Sequence, residues 1–138
     1  MRRYGTFPTT ADVGIWARGT NASELFSAAG TGLLALETDL RRVRPRETRT
    51  VTASAEDSTR LVVDFLNRLL LLGQVEGFVG RAVHARTLGD PPTSVLATVT
   101  GEAYDPGRHR RKKEVKAVTW HQLELDLTRG RLRVIVDI

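Results

Sequence analysis

Cysteine is absent from the 138 residues, which excludes disulfides, a thiol nucleophile and Cys-ligated zinc. Histidine occurs only three times and without metal-type spacing, so an imidazole-built zinc site is not expected either. No apolar run approaches the roughly 18 residues of a membrane span. The opening Met1-Arg2-Arg3-Tyr4-Gly5 lacks the apolar stretch of a secretory signal. There is no phosphate-cradling glycine loop, no nucleophile elbow and no short motif of paired carboxylates, the patterns that would announce an enzyme. Internal repeats and low-complexity tracts are missing as well. The expectation is one cytoplasmic, non-membrane domain spanning residues 1–138, long enough to bury a core without staples.

What is present starts with charge. The chain carries 21 basic and 16 acidic residues, a net charge of +5. Arg108, Arg110, Arg111, Lys112 and Lys113 supply five positive charges within six residues, and the other sixteen basic residues match the acids in number. The whole excess therefore sits in one segment. That pattern marks either a local anionic partner or a solvated loop, not a generally basic surface.

Alternation around Val13, Ile15 and Ala17 predicts a short strand over 12–18. Asn21-Ala22-Ser23-Glu24 has the form of a capping box. Leu25, Phe26, Ala29, Leu33 and Leu36 then recur at helical spacing, predicting a helix over 22–37. A basic connector over 41–49 containing Pro45 leads to a strand over 50–55. Asp57 or Ser58 caps a second helix that Gly73 ends, with a wide stripe of Leu61, Phe65, Leu69 and Leu72. Residues 78–86, 95–104 and 115–127 read as strands, and Arg129-Gly130 turns the chain into a last strand over 131–138. This order predicts an α+β domain, two helices packed on a mostly antiparallel sheet.

Four places carry candidate chemistry. Strict alternation puts His121 on a strand face with Leu123, Leu125 and Leu127, where a lone histidine reads as a hydrogen-bonded core residue. Glu102, in Gly101-Glu102-Ala103-Tyr104, reads as the partner of a neighbouring strand's cation. Arg108-His109-Arg110-Arg111-Lys112-Lys113 lies between the turn signal Asp105-Pro106-Gly107 and the alternation resuming at Val115. It therefore reads as a short loop held at both ends, presenting cations suited to phosphate contact. Finally, Asp12 stands near the start and Asp137-Ile138 closes the alternating run Leu132–Val136. A strand ending there is expected to be pinned into a sheet. Two such acids with a terminal oxygen would form a hard site of the kind that calcium fills with about six to eight oxygens. An Asp beside Gly is also a common turn former, so spacing alone leaves both readings open.

Thr10-Ala11-Asp12-Val13-Gly14-Ile15, Glu24-Leu25-Phe26, Phe65-Leu66-Asn67, Gly101-Glu102-Ala103-Tyr104-Asp105, the His109 region, Lys116-Ala117-Val118-Thr119-Trp120-His121 and the terminal Asp137-Ile138 together resemble segments of the archease family. The resemblance runs in order from about residue 4 to the end. It implies a fold of helices on a sheet with the N- and C-terminal strands close together. It implies a non-enzymatic accessory protein for the RtcB-type RNA ligase of tRNA splicing and RNA repair, promoting that ligase's guanylylation and turnover. It also implies a divalent metal at Asp12, Asp137 and Ile138, with calcium expected in a structure and magnesium or manganese as alternatives. Two positions depart from the family's pattern: Thr9 stands where the family usually has His, and Arg68 where members tend to carry an acid.

Two classes of function follow. The first is the ligase accessory protein, with residues 108–113 touching RNA or an acidic ligase surface. The alternative is a small RNA-binding or chaperone-like module for tRNA-modifying proteins, acting on tRNA or other RNA through Arg108, His109, Arg110, Arg111, Lys112 and Lys113. A metal-dependent phosphohydrolase is disfavoured, because no general base is placed beside the acids.

Overall fold

The computed structural model describes residues 2–10 and 12–138. Ala11, within the Thr10-Ala11-Asp12 run, lies outside the described residues, as does Met1.

Two antiparallel sheets carry the fold. The first joins both ends of the chain. Strand β1 (Tyr4–Pro8) forms a hairpin with β2 (Val13–Arg18), and β2 pairs with β8 (Arg131–Asp137) from Val13↔Val136 to Arg18↔Arg131. Beyond β8 lie β6 (Ala117–Val118) and β7 (Glu124–Asp126), which share its other edge. Successive side chains of a strand point to opposite faces. Accordingly, Ile15, Ala17, Leu132, Val134 and Val136 are buried against the helices while Trp16, Arg131 and Arg133 face outward. The second sheet has the order β3 (Glu47–Ser54), β5 (Ser94–Ala103), β4 (Phe78–Leu88). A bulge between Gly80 and Ala82 interrupts the β4–β5 ladder.

Helix α1 (Ala22–Glu37) starts as the capping pattern predicts: the Asn21 side chain accepts from Glu24 N–H. Glu24 Oε1 reaches back to Thr20, accepting from its N–H at 3.0 Å and its hydroxyl at 2.8 Å, and pairs with Arg3 at 2.6 Å. Those bonds, led by the Thr20 main-chain N–H, hold the Glu24 carboxyl down at about 2. The helix then runs along β4, an edge strand whose outward N–H groups would otherwise lack partners. Ser23, Ser27 and Thr31 accept from the N–H groups of Thr87, Ala85 and Val83 at 2.9, 2.7 and 3.2 Å. The match is geometric, since four helical residues rise about 6 Å and two strand residues about 6.7 Å. A stripe of hydroxyls at i, i+4, i+8 can therefore follow alternate amides of a strand.

Helix α2 (Ser58–Gln74) is capped by Asp57, whose side chain accepts from Arg60 N–H at 2.8 Å. Its predicted stripe of Leu61, Phe65, Leu69 and Leu72 is buried together with Val62, Leu66 and Leu70. Phe65 meets Phe26 of α1 with ring centroids 5.7 Å apart. These residues join both sheets into one apolar core.

The predicted α+β class and the antiparallel pairing hold, with three differences. The strands divide between two sheets. β1 was not anticipated, because only Tyr4 of its apolar side chains packs toward α1; Phe7 lies on the outer face, across Gly14. The strand expected over 115–127 is broken. Between Val118↔Val136 and Leu125↔Leu132 the chain advances seven residues opposite four of β8. The surplus Trp120-His121-Gln122 leaves the ladder, with Gln122 at φ 54° and Leu123 N–H bonded to Trp120 O. His121 is consequently exposed and not a core residue, and Trp120 is 52% exposed.

Candidate functional site

Asp12 and Asp137 leave the β2–β8 ladder at the same end, each one residue beyond the Val13↔Val136 pair. Antiparallel register thus brings together two acids separated by nearly the whole chain. The main chain under each is tied down. The Thr9 hydroxyl donates to Asp12 O at 2.7 Å and accepts from Asp12 N–H at 3.0 Å. Asp137 O accepts from Lys116 N–H at 2.8 Å, and Asp137 pairs with Ala117 of β6. Asp12 is half-buried, whereas Asp137 and Ile138 are exposed.

β6 is in turn fixed by α2. Asn67 donates through Nδ2 to Val118 O at 3.1 Å and accepts through Oδ1 from Val118 N–H at 2.9 Å. Its amide thus takes the place of a missing strand neighbour. Gln74 adds a bond to Val115 O at 3.2 Å. A continuous path of hydrogen bonds therefore runs from α2 through β6 to Asp137. The sequence signal for this was a single polar residue, Asn67, set among the apolar positions of the α2 stripe.

Among the described residues no group of three or more His, Asp or Glu gathers. A cation at this end would rest on the Asp12 and Asp137 carboxylates with a main-chain oxygen of Ile138. That set is oxygen-only, which fits a hard divalent ion completing its shell with water and excludes a thiolate or imidazole type of site.

Residues 108–113 are anchored at both ends of the run: Arg108 and His109 turn inward, while the cations of 110–113 stay at the surface. Glu102 is 4% exposed, and it accepts from Arg44 N–H at 2.8 Å and Arg108 Nη2 at 2.6 Å, with His109 Nε2 at 2.8 Å. These partners, led by the Arg44 main-chain N–H, hold its carboxyl at about 2 against the opposing effect of burial. His109, also 4% exposed, accepts at Nδ1 from Asp105 N–H, so its ring proton sits on Nε2 and is donated to Glu102. Glu102 therefore does pair with cations: Arg46, at 3.9 Å and next to the neighbouring strand β3, and more closely Arg108, from the segment that follows its own strand.

The next residues cap α1. Lys112 donates through its main chain to Glu37 O at 2.8 Å and through Nζ to Ala35 O at 3.0 Å. The last turn of α1 has no basic residue of its own, so the segment brings positive charge to the negative end of the helix dipole. Arg111 pairs in a bridge with Thr38 and lies 4.4 Å over the Tyr104 ring. Arg110, Arg111, Lys112 and Lys113 are all exposed. Lys113 and Arg111 line a cleft with Glu37 and Tyr104, in which burial raises the Glu37 carboxyl to about 7 despite the attraction of Arg111.

Fold and site together define a small α+β protein whose second and last strands pair, with one aspartate a residue beyond each at their common end. Residues 4–138 match the family model of the Archease protein family. Protein archease of Thermococcus gammatolerans is 36% identical over 127 residues, covering 91% of this chain and 89% of that protein. Protein archease of Methanothermobacter thermautotrophicus is 33% identical over 141 residues, covering both chains fully. The solution structure of Methanobacterium thermoautotrophicum protein 1598 superposes with a TM-score of 0.81 at 30% identity, over 100% of both chains. The chain belongs to the archease family.

Proposed function

We propose that this protein is a cytoplasmic accessory factor of an RtcB-type RNA ligase, promoting its guanylylation and turnover in tRNA splicing or RNA repair without joining RNA itself. Family membership along nearly the whole chain supports the reading. The structural observation that carries it is the Val13↔Val136 register, which sets Asp12 beside Asp137.

In this reading Asp12, Asp137 and a main-chain oxygen of Ile138 hold a divalent ion, calcium, magnesium or manganese. When bound, such an ion supplies positive charge that stabilises phosphate oxygens during nucleotidyl transfer. The protein's own residues do the positioning. The Thr9 hydroxyl, standing where the family usually has His, grips both main-chain groups of Asp12. β6, braced by Asn67, holds the main chain of Asp137. Both carboxylates are thereby offered from a rigid sheet end, which reduces the ordering needed on docking. Arg68 is exposed on α2 and adds positive charge to any partner surface there.

The alternative, RNA binding through residues 108–113, has less support, since Arg108, His109, Arg111 and Lys112 already bond within the fold. The experiment is ligation of a nicked RNA by a matched ligase with GTP, at substoichiometric amounts of this protein. The expected result is more ligation events per ligase molecule, with the gain absent for Asp12→Asn and Asp137→Asn. A gain that survives both substitutions in folded protein contradicts the reading.

A further inference from the structure

Among the described residues no helix covers the outer face of the β1-β2-β8 sheet, and that face carries aromatic rings beside arginines. Two aromatic rings lie across glycines of the neighbouring strand. Trp16 is the cross-strand partner of Gly5, and a Cβ at Gly5 would sit 2.6 Å from Trp16 Nε1. Phe7 is the partner of Gly14, where a Cβ would meet the far end of the Phe7 ring. Both rings therefore rest on the sheet, with a π face turned outward. Guanidinium groups already use these faces: Arg133 lies 4.1 Å over Phe7 and Arg18 lies 5.2 Å over Trp16.

Next to Trp16, at the end of β2 opposite Asp12, a cleft is lined by Arg2, Arg3, Arg18, Arg129 and Arg131 around Gly19, Thr20 and Gly130. Its walls are held close. Gly19 N–H donates to Gly130 O at 3.1 Å, and Arg18 N–H donates to Arg3 O at 2.7 Å. Gly130 sits at φ +64°, and a Cβ there would run into Gly19 O. The acids nearby are fewer than the arginines. Glu24 pairs with Arg3, Asp126 approaches Arg129 at 3.9 Å and stands opposite Arg131, and Glu124 stands opposite Arg133. With Arg133 that makes six arginines against three acids.

We infer that this face binds single-stranded nucleic acid, with phosphates in the arginine cleft and a base stacked on Trp16. The two halves of the surface select this ligand jointly. Arginine forks suit phosphate oxygens, and the aromatic face of Trp16, given up by the Arg18 guanidinium as that group turns to a phosphate, stacks an unpaired base. A duplex satisfies only the charge, because its bases are stacked on each other, and an acidic polypeptide has no base to offer. The inference goes beyond the ligase reading and does not depend on the metal site. It also assigns nucleic-acid contact to a surface away from residues 108–113.

The test uses the full chain carrying Trp120→Phe, which leaves Trp16 as its one tryptophan. Titration with a short single-stranded oligouridylate at low salt is expected to quench Trp16 fluorescence saturably. At about 0.7 ions released per phosphate contact on single strands, the five arginines of the cleft predict a slope of log K on log salt of about −3.5. The exposed pair Arg18→Glu and Arg131→Glu, folded by circular dichroism, should weaken binding at least about tenfold. Lys112→Glu with Lys113→Glu should leave it unchanged. The inference is overturned by absence of binding at low salt, or by binding indifferent to the Arg18 and Arg131 reversals. Loss through the lysine reversals instead, or equal quenching by duplex RNA or polyglutamate, overturns it as well.

Discussion

Two glutamates near the C-terminal end of α1 respond to pH in opposite senses, and both respond for reasons of local structure. Glu102 is held at about 2 by the Arg44 N–H and by its bonds to His109 and Arg108. A folded value below the unfolded 4.5 adds stability that is present above pH 4.5 and is lost as pH falls toward 2. Glu37 is the reverse. Burial raises it to about 7, so its contribution is fully present below pH 4.5 and is lost as pH rises through 7. Urea midpoints across pH should therefore show Glu37→Gln gaining on the parent between about 4.5 and 7 and staying ahead above it. Glu102→Gln should instead lose most at neutral pH, with the gap closing in acid. A gap for Glu37→Gln that shrinks with rising pH would refute the assignment of a buried, reluctant carboxylate. At this scale the sequence announced Glu102 as paired, but the basic run hid its own purpose. Nothing in Arg110-Arg111-Lys112-Lys113 says that Lys112 will bond the last carbonyls of a helix more than seventy residues earlier.

Among the elements, the hydroxyl stripe of α1 explains how an edge strand is finished without another strand beside it. Ser27 both accepts from Ala85 N–H and donates to Ser23 O. Ser27→Ala leaves a part-buried amide without its acceptor and should cost about 1–3 kcal/mol in urea unfolding. Amide exchange should quicken at Ala85 before it does in β2 or β8. Asn67 is the counterpart on α2. Asn67→Ala removes partners from both main-chain groups of Val118, so exchange at Val118 and its neighbours in β6 should rise while β3–β5 pairing stays protected. Global unfolding with no local change in β6 would contradict the bracing role. Helix positions were legible because apolar spacing and caps act within a few residues. Neither the hydroxyl ladder nor the Asn67 bridge was legible, since each depends on which amide the fold places opposite, at separations of 51 to 64 residues. The break at Trp120-His121-Gln122 was missed for a related reason: alternation continues across a three-residue excursion, and only the register on β8 exposes it.

As a whole molecule, the chain closes on itself. Its first and last strands are separated by nearly the full sequence yet lie in one sheet, with acids at one end of β2 and β8 and arginines at the other. Six strand residues span about 20 Å, so the sheet carries a charge gradient along its strands. The acidic end was visible in the sequence as two unexplained aspartates, and the family resemblance joined them. The arginine end was not visible, because Arg2, Arg3, Arg18, Arg129 and Arg131 never form a run; the hairpin and the β2–β8 pairing collect them. If the acidic end acts on a ligase, the rate of guanylylation of an RtcB-type ligase by GTP and Mn²⁺ must respond to it. That rate is compared without this protein, with it, and with Asp137→Asn of matched thermal stability. Acceleration by the parent that falls to the unassisted rate with Asp137→Asn is the predicted result; equal acceleration by both proteins would contradict the account.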